Sequence, residues 1–118
     1  MNFVNLLGSL PTVSALDAFA RTFFDAVGVR GFEQRESSNF PEGRYFKGIK
    51  GDLHFKISLS DEAGHDDLPY WVQVSSGIEA DKLLMTVNSL VVEGALPRGF
   101  RLSRMIDFGK RSERRLDY

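Results

Sequence analysis

The chain has 118 residues, 42% hydrophobic and 26% charged, with a net charge of −1, a composition that suits an ordinary globular domain and lies outside the polar regime of disorder. It contains no cysteine, which excludes disulfides, thiolate metal sites and a cysteine nucleophile. No apolar run nears the roughly 20 residues of a bilayer-spanning helix, and the opening residues lack the basic start and small-residue cleavage pattern of a signal peptide, so one cytoplasmic domain over 1–118 is expected.

Taken in chain order, Phe3, Leu6, Leu7 and Leu10 have helical spacing and predict a short first helix broken by Pro11. Leu16, Phe19, Ala20, Phe23, Phe24 and Val27 follow the same rule more fully and predict a core-facing helix, with Ser14 as its N-cap and Gly28 as its stop. From residue 31 the period changes from 3.6 to 2. "GFEQRE", "RYFKGIK", "DLHFKISLS" and "YWVQVSS" read as strands, the clearest being the third, where Leu53, Phe55, Ile57 and Leu59 alternate with His54, Lys56 and Ser58. Lys50-Gly51 suits a tight turn, Pro41-Glu42-Gly43 another, and "SDEAGHDDLP" a longer loop.

Ser76 and Glu79 have capping-box spacing ahead of Ala80, Leu83, Leu84, Val87, Leu90 and Val91, which predicts a second long helix ending near Gly94. "FRLSRMIDF" then predicts a last strand, and a basic, flexible tail is expected from about residue 109. The order α-β-β-β-β-α-β implies an α+β two-layer sandwich: an antiparallel sheet of about four to five strands, two main helices on one face and the other face open to solvent or a partner.

Charge is uneven. Residues 1–97 carry 8 basic and 13 acidic side chains, whereas residues 98–118 carry 7 and 3. The basic end allows a nucleic-acid reading, but interruption by Asp107, Glu113 and Asp117 favours a solvated end or an intramolecular partner for the acidic body. "RYFKG" sets aromatics beside cations as sheet-based RNA binders do, yet the second half of that signature is missing and the nearby acids would repel phosphate.

No G-x-S-x-G elbow, phosphate loop, dinucleotide fingerprint, H-E-x-x-H pair or EF-hand loop is present. No catalytic residue and no cofactor is assigned, and the reading points away from an enzyme. The alternative is a ligand- or metal-binding domain, in which Asp61, Glu62, Asp66 and Asp67 surround His65 and would present carboxylates and an imidazole to a divalent cation. Their spacing matches no defined metal site.

The preferred reading is a protein-interaction module. With Leu53, Phe55, Ile57, Tyr70, Val72 and Val74 turned to the core, Trp71, Gln73, His54 and Lys56 project from the opposite sheet face, with Lys47 and one aromatic of the Tyr45 and Phe46 pair beside them. Tryptophan and tyrosine are enriched where binding energy concentrates, and Trp71 is the main pointer, unless residues 1–11 or the C-terminal segment cover it. A homodimer is compatible with a free sheet face. In size, lack of cysteine, α+β order and uneven charge the chain resembles the small cytoplasmic immunity proteins with which bacteria neutralise toxins. That resemblance is one of general character and carries no motif. It implies a protein that occludes its partner, with the acids from Asp61 to Asp67 imitating an anionic substrate against a basic cleft.

Overall fold

A single antiparallel sheet of seven strands organises the chain. In the computed structural model, which describes all 118 residues, the elements are β1 (Asn2–Ser9), α1 (Leu16–Val27), β2 (Glu33–Glu36), β3 (Arg44–Lys50), β4 (Leu53–Leu59), β5 (Tyr70–Ser76), α2 (Ala80–Leu90), β6 (Arg101–Ile106) and β7 (Arg114–Asp117). The strands lie in the order β2-β3-β4-β5-β1-β6-β7. Both helices pack on one face of this sheet, so the fold is α+β, with more strands than the sequence suggests.

The two additional strands come from segments read otherwise. Phe3, Leu6, Leu7 and Leu10 do not form a helix: residues 2–9 are β1, paired to β5 on one side and to β6 on the other. At Leu6 and Leu7 the strand is buried on both faces, so its apolar residues run consecutively there instead of alternating, a pattern that periodicity cannot separate from a short helix. Leu6 and Leu10 join the helix-side core, whereas Leu7 belongs to a small cluster on the other side. Within the expected tail, Arg114–Asp117 instead forms the edge strand β7 against β6.

Helix α1 carries the predicted stripe, and all six of its residues are buried. Phe19 stacks on Tyr70, Phe24 meets Phe55 edge-on, and Phe23 meets Phe100. Each such fully buried side chain is worth about 1.5–3 kcal/mol relative to exposure. Gly28 stops the helix in the left-handed conformation, as expected. The N-cap position is Ala15 rather than Ser14, without a side-chain cap.

Helix α2 likewise begins after Glu79 without a capping box. Ser76 Oγ instead accepts the Ile78 N–H at 3.2 Å. The helical path does not stop at Gly94 but continues through a wide turn over 91–95 and a tight one over 96–98. Gly94 is there for closeness: a Cβ would sit 2.5 Å from the Ala26 carbonyl oxygen of α1. The β3–β4 turn consists of Gly51 and Asp52, one residue later than expected, because Lys50 still pairs with Leu53.

Candidate functional site

The outer face of the sheet, away from the helices, is read best in cross-strand tiers, since opposed residues on adjacent strands touch. One tier runs Ser58, Trp71, Leu7, Ser103; the next runs Lys47, Lys56, Gln73, Asn5, Met105; the last runs Ile49, His54, Ser75, Phe3. Of the sequence-derived candidates, Tyr45, Lys47, His54, Trp71 and Gln73 share this face. Phe46 does not. It is buried in the helix-side core, because a strand sends neighbouring side chains to opposite faces and Tyr45 takes the outer one.

The end of the face that holds Trp71 is covered. The turn of residues 37–43, closed by the Ser37 N–H on the Gly43 carbonyl at 2.9 Å, lays Phe40 on Tyr45 with ring centroids 4.4 Å apart and on Trp71 at 6.0 Å. Phe108, from the turn after β6, approaches Trp71 from the far side at 5.7 Å. Beneath them Leu7, Leu68 and Met105 form a buried cluster against which Trp71 and Phe108 pack. The indole N–H donates to Asn5 Oδ1 at 3.0 Å. Trp71 is therefore half-buried and held on three sides, the anchor of a second small core; the C-terminal segment covers it in part, and residues 37–43 do so as well.

The acidic loop helps to hold that cover in place. Arg115 of β7 donates two hydrogen bonds to Asp67, at 3.0 and 2.8 Å, and one to Asp117 at 2.7 Å. Arg115 hydrogen bonding draws the Asp67 carboxyl below the usual aspartate range; for Asp117 the Ser103 hydroxyl is the larger cause and Arg115 the second. His65 Nε2 lies 3.5 Å from Glu113, whose other oxygen accepts the Gly109 N–H at 2.8 Å. His65 thus faces Glu113 across the loops, and Asp67 faces Arg115. Asp61, Glu62 and Asp66 do not converge with them, and no three His or carboxylate side chains come together as a metal would require. The basic end is likewise drawn inward at Arg115, while Arg98 pairs with Asp25.

The other end of the face is bare. Phe3 and Ile49, opposite ends of one tier, are 55% and 50% exposed, with His54 and Ser75 between them. The largest concavity of the molecule, about 360 Å³, opens beside His54 between Met1, Asp52 and Ile78. In the neighbouring tier Lys47 stands directly opposite Lys56, whose ammonium lies 5.6 Å from the Tyr45 ring centre. The arrangement offers cations, amides and apolar edges to a ligand. It holds no nucleophile paired with a base. Phe3 escapes the sequence reading because the helix assigned to residues 3–10 hides its strand partner, and Ile49 because it sits at the end of a strand. No family model matches the chain, and no match to a curated protein or to a solved structure was found.

Proposed function

We propose that this chain is a protein-interaction module that binds its partner on the bare end of the outer sheet face, around Phe3, Ile49, His54 and Lys56. The observation that carries the reading is the contrast within one face. Three loops converge to cover the Trp71 end, whereas two large apolar side chains stay half-exposed at the other, where burial against a partner would be favourable. Strand residues on a rigid seven-stranded sheet also lose little freedom on binding, which favours affinity. The acidic loop supports an anion-imitating, immunity-type role less well, since Asp67 is already engaged by Arg115. No helix is long and apolar enough to cross a membrane.

The test is capture from native extract with three baits: wild type, Ile49→Glu and Met85→Glu, the last an exposed residue of α2. The expected result is a partner held by wild type and by Met85→Glu and lost with Ile49→Glu. Equal capture by all three baits, or none by any, would contradict the reading.

A further inference from the structure

The Lys47 and Lys56 pair supplies the chemistry of the partner. Like charges directly opposed on adjacent strands are destabilising, whereas an acid across from a lysine would stabilise the pair. Here neither ammonium forms an ion pair with any carboxylate of the chain. Glu33, which stands opposite Lys47 on β2, is turned to Arg35 instead. The same tier continues into two amides. Asn5 Oδ1 accepts from both Trp71 Nε1 and Gln73 Nε2, at 3.0 and 3.4 Å, which fixes the amide's orientation and leaves Asn5 Nδ2 with no hydrogen-bond acceptor in the chain. A row of donors therefore lies across the face, with exposed Ile49 and Phe3 bordering it in the next tier.

We infer that the partner is an acidic protein segment, whose carboxylates are received by Lys47, Lys56 and Asn5 Nδ2 while its apolar side chains cover Ile49 and Phe3. The inference rests on the interaction surface proposed above and specifies its ligand. Charge complementarity at short range selects the occupant: carboxylates relieve the repulsion between the lysines. Nucleic acid fits less well. Binding a phosphate backbone takes several cations and rings free to stack, whereas this face offers two lysines, and of its rings Tyr45, Phe40, Trp71 and Phe108 are packed on one another, which leaves Phe3 as the one free phenyl ring.

The experiment selects a displayed library of random dodecapeptides on immobilised wild type, on Lys47→Gln with Lys56→Gln, and on Ile49→Glu. Both lysines are half-buried on the outer face and lie outside the two hydrophobic clusters, so their replacement leaves the core intact, and a matching far-ultraviolet spectrum checks folding. Wild type is expected to enrich peptides that combine two or more acidic residues with an apolar one. The double variant should weaken those peptides by about tenfold or more, as loss of close charge pairs does elsewhere. No enrichment, enrichment of basic or neutral peptides, or acidic peptides indifferent to the double variant would overturn the inference; in the last two cases, loss of binding with Ile49→Glu would still leave the surface itself standing. A random 20-nucleotide RNA retained by wild type and released by the double variant would assign the lysines to phosphate and likewise overturn it. Self-association in sedimentation, abolished by the double variant, would replace the acidic partner with a second copy of the chain.

Discussion

The two faces of one sheet are made by the same strands, yet they are finished differently. On the helix side, Val4, Leu6, Phe55, Ile57, Val72 and Val74 are covered by α1 and α2 in one continuous core. On the outer side, loops rather than helices cover one end, and the other end has no cover. The first face shows what this chain needs in order to fold. The second separates into a part that stabilises the fold, around Trp71, and a part where Phe3 and Ile49 stay half-exposed and the lysines form no ion pair, the contact of Lys56 with the Tyr45 ring being their one partner within the chain.

This division can be broken by measuring what each region contributes. The largest loss is expected on the helix side: Phe55→Ala leaves a cavity under Phe24 and should cost about 3–5 kcal/mol in urea unfolding. A loss below about 1 kcal/mol would mean that the core is not where it is drawn. Trp71→Ala should cost less, about 2 kcal/mol, because the ring is only half-buried and part of its apolar surface already meets water. A cost near zero would make Trp71 a free binding residue and erase the division of the outer face.

How much of this division the sequence carries depends on the range of the interactions. Leu53–Leu59 alternates cleanly because β4 has one apolar and one polar side, and the helical stripe of α1 is equally direct. Central β1 conceals itself because Leu6 and Leu7 are buried on opposite sides of the sheet and break the alternation. Edge strand β7 does so by being polar, as edges that avoid aggregation commonly are: Arg114, Arg115 and Asp117 read as a tail. The cover over Trp71 joins residues 40, 71 and 108, whose meeting depends on how three loops close and leaves no period to read. His65 and its neighbouring acids look like one cluster in the sequence, yet the loop points them to different partners, Glu113 and Arg115.

A smaller effect concerns acid. Asp67 and Asp117 titrate below the ordinary aspartate range in the folded protein, so their contribution is fully present above the unfolded aspartate value of about 3.9 and is lost as pH falls through their lower folded values. Wild type should therefore lose more stability between pH 5 and pH 2 than Arg115→Gln, which lacks the common partner of both carboxylates. Identical acid titrations of stability would show that Arg115 does not fasten the loop to β7. The smallest effect is expected at the bare end, where Ile49→Glu should shift unfolding by no more than about 0.5 kcal/mol. A large destabilisation there would reveal a structural role for Ile49 and weaken its case as a contact residue.

The proposed interaction surface is tested most directly by crosslinking. A photo-crosslinking amino acid is placed at position 49, and in a separate preparation at position 85, in the native cell. Position 49 lies on the bare end of the outer face; position 85 lies on the solvent side of α2. A discrete protein adduct is expected from position 49 and none from position 85. An adduct from position 85 alone would place the interaction on the helix side and contradict the proposed surface.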